Sequence, residues 1–156
     1  MDFEVGWAIG AGLIGGAVMM AVLYMGIAMM PNQMRMNLLL MLGTMMLPAG
    51  VTAYVAGAMI HAGLSAVFGL IHAAVFAGAD IESATAAWGL LFGLVHWAIV
   101  GMALGMMPLM HRGIQRREVE APGFYATSLG PVTAMGFLML HLLFGLLVGV
   151  IYGAAV

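Results

Sequence analysis

Cysteine and lysine are both absent from this chain, and no Asp, Glu, Lys or Arg falls within residues 5–30, 49–79, 84–108 or 130–156. Without cysteine there is no disulfide, no thiolate metal site and no thiol redox chemistry. Four basic residues and a formal net charge of −2 provide no clustered basic surface, which removes nucleic acid as a partner. Charged residues make up 6% of the chain, against roughly 25% in a soluble globular protein. No room is left for a separate soluble domain. The opening Met1-Asp2-Phe3-Glu4 is acidic and lacks the positive stretch of a cleaved signal peptide, so the first apolar segment is expected to stay in the mature protein.

What fills the chain is apolar: 65% hydrophobic residues, gathered in the four uncharged stretches. Each reaches or exceeds the ~20 residues that carry a helix across a ~30 Å hydrocarbon layer. In lipid every backbone amide must be satisfied within the segment, and a helix does that. The sequence therefore predicts an all-α polytopic membrane protein, a four-transmembrane-helix bundle forming one domain over 1–156, with spans at 5–30, 49–79, 84–108 and 130–156. Pro31, Pro48, Pro108 and Pro131 punctuate those boundaries, Pro131 in a first turn where its missing N–H costs nothing. Residues 32–48 read as a short interfacial segment or as the start of an overlong second span. A further crossing within 37–79 would need a polar turn near residue 57, and none is there.

Arg35 lies between spans 1 and 2, and Arg112, Arg116 and Arg117 lie in the 109–129 loop between spans 3 and 4. The positive-inside rule makes that face cytoplasmic and sets both termini outside a bacterial inner membrane. Asp2, Glu4, Asp80 and Glu82 fall on the other side. The loop's Glu118, Glu120 and three arginines read as a solvated charge cluster.

Small residues recur at four-residue spacing, as Gly6/Gly10, Gly12/Gly16, Gly89/Gly93, Gly101/Gly105 and Gly145/Gly149/Gly153. Such ridges let helix backbones approach closely in lipid, within one bundle or between protomers. The lipid bilayer is one partner; a larger membrane complex or a homo-oligomer through these faces is the other expectation. Phe68-Gly69-Leu70-Ile71-His72 is echoed by Phe92-Gly93-Leu94-Val95-His96, and in part by Phe144-Gly145-Leu146.

Histidine is the one ionisable residue type within the spans, and titratable groups at that depth mark functional sites. On a helical wheel His61 and His72 share a stripe of span 2, while His96 and His141 lie on the glycine-bearing stripes of spans 3 and 4. At ~1.5 Å per residue, His61, His96 and His141 each lie ~16–18 Å from a span end. They are expected to meet near the midplane, with His72 about three turns nearer the outside. Four roles follow from this chemistry. The rings could be neutral glue, bonded to Ser65, Tyr24, Tyr152 or a backbone carbonyl. They could ligate a transition metal, copper first. Two of His61, His96 and His141 could hold haem b, the glycines leaving room for the macrocycle. They could relay protons.

Methionine is the second excess, 18 residues, mostly in the half assigned to the cytoplasm. Met25/Met29, Met102/Met106/Met110 and Met135/Met139 repeat at helical spacing, with His111 beside Met110. Thioether sulfur suits Cu(I), so these residues form a candidate soft-metal path; as packing they are flexible apolar filler. No Ser-His-Asp set, HExxH helix, Walker loop or dinucleotide fingerprint occurs. The leading expectation is a non-enzymatic accessory or assembly component, ahead of a haem b electron-transfer subunit and of a small-solute or ion channel.

The run Trp88-Gly89-Leu90-Leu91-Phe92-Gly93-Leu94-Val95-His96-Trp97, with Gly105-Met106-Met107-Pro108, resembles small uncharacterised four-span bacterial membrane proteins. Gly15-Gly16-Ala17-Val18-Met19-Met20 and His141-Leu142-Leu143-Phe144-Gly145 carry the same resemblance. It implies the four-span layout; that family has no settled activity to carry over.

Overall fold

A computed structural model describes residues 2–156. Its six α-helices are α1 (Val5–Met29), α2 (Leu38–Thr44), α3 (Val51–Gly78), α4 (Thr85–Met106), α5 (Arg112–Gln115) and α6 (Pro131–Ala155). Met107–Leu109 and Phe124–Leu129 form short 3-10 turns, and no strand occurs among the described residues. Four helical stretches are long and apolar enough to cross a membrane: Val5–Met29, Val51–Gly78, Thr85–Leu109 and Pro131–Ala155. They match the expected spans to within two residues at each end. α3 runs unbroken, so 37–79 holds one crossing and the 32–48 segment keeps its own short helix.

Internal packing divides the chain into two units, and each long helix contributes to both. The first comprises the chain up to Val22 with Ala62–His96 and Met139–Val156. Here glycine sets the helix contacts. A Cβ added to Gly69 of α3 would stand 2.8 Å from the Cα of Gly12 on α1, and one on Gly145 of α6 would stand 2.8 Å from the Cα of Gly93 on α4. Gly149 meets Gly89 in the same way, at 3.2 Å. Backbone touches backbone at both crossings, which is how small-residue ridges hold helices whose apolar side chains gain little by leaving lipid. The glycine faces expected to pack thus do so within the chain at these positions. Gly6 and Gly10 have nothing within 4 Å of an added Cβ. Fully buried Tyr152 closes this unit: its hydroxyl accepts from the Glu4 N–H at 2.9 Å and donates to the Asp2 carbonyl at 3.0 Å.

The second unit comprises Leu23–His61 and Trp97–Leu138. Asn37 caps α2 by accepting from the Leu40 N–H, accepts again from the Tyr24 hydroxyl at 2.8 Å, and donates to the Tyr54 hydroxyl. One amide side chain thereby ties α1, α2 and α3. α2 then lies on the first turns of α3, with the Ala53 backbone where a Gly43 side chain would stand and the Leu39 carbonyl where a Gly57 side chain would stand. Met36, Met41, Leu104, Ala126, Leu129 and Phe137 form the apolar core of this unit. Tyr125 and Ala126 turn the chain in the left-handed region, at φ 54° and 61°, and the Phe124 and Tyr125 rings cover Gly105 and Gly101 of α4.

The charges of the 109–129 loop are solvated as expected, with all three arginines and Glu120 exposed, and they also bond to the α2–α3 connection. Arg116 donates to the Leu47 carbonyl at 2.9 Å and pairs with Glu118 at 2.9 Å, while Glu118 accepts from the Ala49 N–H at 3.2 Å. Arg35 pairs with Glu120. The loop is a bracket on residues 44–49, because a helix end leaves carbonyls without partners and a guanidinium can reach them. All four arginines belong to this unit, whereas Asp2, Glu4, Asp80 and Glu82 belong to the first.

Candidate histidine site

The two Phe-Gly-Leu-x-His motifs place Phe and His four residues apart, on one face of each helix. In the first unit these faces meet reciprocally. The Phe68 ring of α3 lies flat on the His96 imidazole of α4, centroids 3.7 Å apart and planes at 23°. The Phe92 ring of α4 meets His72 of α3 edge-on at 6.0 Å. The glycine of each motif faces outward from this pairing: Gly69 packs on α1 and Gly93 on α6. Phe144, from the third echo of the motif, stands 5.7 Å from both His72 and His96. The repeat echoed along the sequence is the scaffold of the site.

Three imidazoles adjoin within this aromatic frame. His96 is 6.1 Å from His72 and 4.8 Å from His141, centroid to centroid, with planes crossed at 66° and 81°. His72 and His141 are buried. The Nδ1–H of His72 donates to the Phe68 carbonyl one turn earlier, at 2.7 Å. A carbonyl can only accept, so the neutral ring carries its proton on Nδ1 and its lone pair on Nε2. That Nε2 is buried without a hydrogen-bond partner, and so is Nδ1 of His96. An unpaired polar atom away from water costs free energy comparable to a lost hydrogen bond.

The placement of His72 corrects the depth expected for it. It stands beside His96 rather than three turns away. Counting from span ends presumes that all spans start at one level, whereas the Phe68–His96 and Phe92–His72 contacts set α3 against α4 in a different register. His61 belongs to the second unit, 11 residues before His72 on α3, or about 16 Å of helical rise. The tyrosines expected as histidine partners have other duties, Tyr24 at Asn37 and Tyr152 at the N-terminal segment.

The soft-metal path is placed differently from the histidines. Met25, Met29, Met102, Met106, Met110, Met135 and Met139 are all exposed on the surface of the chain, Met110 most of all at 77%. Among the described residues the buried methionines are Met19, Met34, Met36 and Met41. His111 is buried with both nitrogens engaged: Nε2 donates to the Met41 carbonyl at 2.7 Å and Nδ1 accepts from the Ile114 N–H at 3.1 Å. It caps α5 and pins α2, with no nitrogen left for an ion. Room for a haem beside Gly89 and Gly93 is also absent, because the α6 backbone fills it, a Gly93 Cβ falling 2.5 Å from the His141 carbonyl oxygen.

Among the described residues no group of three or more His, Cys, Asp or Glu is arranged to hold a metal ion. The chain matches no protein-family model, no curated protein and no solved structure. What sequence reading missed is the phenylalanine frame, for which the repeated motif was the signal. It also missed Trp97, whose buried Nε1–H has no partner although its ring packs 4.7 Å from Tyr125.

Proposed function

We propose that this chain is a non-enzymatic component of a bacterial inner membrane, an accessory or assembly protein that holds a transition metal, copper first, on its buried histidines. The observation that carries the reading is the pair of unpartnered ring nitrogens, His72 Nε2 and His96 Nδ1, on adjoining imidazoles. Neutral imidazole is a common ligand for copper and zinc. The His72–Phe68 hydrogen bond supplies the outer contact that orients a ligating ring and fixes its tautomer. No carboxylate, lysine or arginine lies in α3, α4 or α6, so the frame lacks the charged groups that catalysis on a polar substrate or cation coupling would use. The segregation of arginines from Asp2, Glu4, Asp80 and Glu82 supports a cytoplasmic placement of the α1–α3 and α4–α6 connections, with both termini outside.

Elemental analysis of the detergent-purified protein tests the reading, with an optical spectrum run beside it. Copper near one equivalent, lost on His96→Ala, is the expected result. A Soret band would replace the reading with a haem subunit. Absence of any metal after incubation with zinc salts and with both Cu(I) and Cu(II) would overturn it.

A further inference from the structure

The two orphaned nitrogens restrict the ion further, an inference that rests on the metal reading above. We infer that the site is a two-donor site, His72 Nε2 and His96 Nδ1, selective for a soft monovalent cation, Cu(I), over Cu(II) and Zn(II).

Geometry gives the coordination number. With metal–imidazole bonds of about 2.0 Å and each ring nitrogen roughly 1.1 Å from its ring centre, two imidazoles on one ion have centroids at most ~6.2 Å apart, reached when the arrangement is straight. His72 and His96 stand 6.1 Å apart, so an ion shared by the two rings would have to be bonded almost straight. Straight two-coordination is a habit of d10 monovalent ions such as Cu(I) and Ag(I), whereas Zn(II) takes four ligands and Cu(II) favours a tetragonal set. Among the described residues no group of three or more His, Cys, Asp or Glu is placed to hold an ion, so a tetrahedral or tetragonal shell of such side chains is not available here.

Charge gives the same answer independently. Desolvation scales with the square of the charge, so a divalent ion costs roughly four times as much to bury as a monovalent one. Carboxylates or thiolates normally offset that cost. The chain has no cysteine, and α3, α4 and α6 carry no Asp or Glu. Around the pair stand instead the rings of Phe68, Phe92 and Phe144. These rings carry no charge, so nothing in the frame offsets a second positive charge. Such a frame suits a single positive charge.

The test uses the full chain in detergent, made metal-free and titrated anaerobically with Cu(I) against a chromophoric Cu(I) chelator. Separate titrations use Ag(I), Zn(II) and Cu(II). One equivalent of Cu(I) or Ag(I) is expected to bind, with Zn(II) and Cu(II) each at least about 100-fold weaker. His72→Ala and His96→Ala should each weaken Cu(I) by more than about 100-fold, beyond the 10–100-fold typical of outer-shell changes; His61→Ala should leave it unchanged. X-ray absorption of the wild-type Cu(I) form guards against variants that fail to fold, and two nitrogen neighbours are expected. Zn(II) or Cu(II) binding as tightly as Cu(I), or three or more nitrogens in the absorption spectrum, would overturn the two-donor monovalent site and leave the general metal reading standing. No binding of any of the four ions would overturn both.

Discussion

The imidazole of His96 lies parallel to the ring of Phe68, 3.7 Å away on the neighbouring helix. The reciprocal contact, Phe92 to His72, is an edge approach at 6.0 Å. Two copies of one short motif therefore lock α3 to α4, and they do so unequally. Replacing Phe68 by Leu keeps most of the apolar volume and removes the stack, so it is expected to cost about 0.5–1.5 kcal/mol. Phe92→Leu removes ring contacts with Phe76 and Trp88 as well as the edge contact with His72, and should cost more. Thermal unfolding of both variants in detergent checks the order, and equal losses would contradict it.

The backbone contacts between α4 and α6 give a second expectation. A side chain on Gly89 or Gly145 would drive into the facing helix. Gly145→Val should destabilise by about 1–3 kcal/mol or more, the range for overpacked cores, since backbone cannot rotate aside. Gly10→Val meets nothing within 4 Å and should stay within about 0.5 kcal/mol of wild type. A damaging Gly10 substitution would show instead that another surface covers this face.

How far the sequence is readable follows from these contacts. The absence of charge located all four spans, because a buried ion in lipid is costly wherever the helix faces. The same uniformity hid the azimuth of each helix: with lipid on one side and protein on the other, both sides are apolar. Met25 and Met41 look alike in sequence, yet one is exposed and the other buried. His72 was misplaced for a related reason. Which residue of α4 it meets is a tertiary contact, seen in the Phe68–His96 and Phe92–His72 pairs, that no residue count contains. The bracket formed by Arg116 and Glu118 depends equally on where the ends of α2 and α3 fall.

That bracket has a pH dependence with a defined sign. The hydrogen bond from Arg116 holds the Glu118 carboxyl below its ordinary value. A carboxyl depressed by folding stabilises fully above its unfolded pKa of about 4.3, and the contribution is lost as pH falls through the lower folded value. The Arg116→Gln variant lacks it throughout. The difference in unfolding temperature between wild type and Arg116→Gln should be constant from neutral pH down to about 5 and shrink below about 4. High salt should shrink it too, since the pair is exposed. A difference that grew in acid would assign Arg116 another role.

His111 offers a contrast with the three adjoining imidazoles. Both its nitrogens are already bonded, so His111→Leu would strand the Met41 carbonyl and the Ile114 N–H. A loss of about 1–3 kcal/mol of stability is expected, the cost of leaving buried polar groups unpaired. Metal content should not change. A variant that folded as well as wild type but bound less copper would return His111 to the list of ligands.

The proposed orientation can be read directly because the chain carries no cysteine of its own. A single cysteine introduced as Asp2→Cys or as Arg117→Cys is then the one thiol available to a membrane-impermeant maleimide. The positive-inside rule counts arginines in short connections near span ends, and all four lie in the unit that contains the α1–α3 and α4–α6 connections. Asp2→Cys should therefore label in intact cells, whereas Arg117→Cys should label only after the membrane is permeabilised. The reversed pattern would put the arginines outside, against the charge rule, and would require the insertion of this chain to be directed by something other than its own charges.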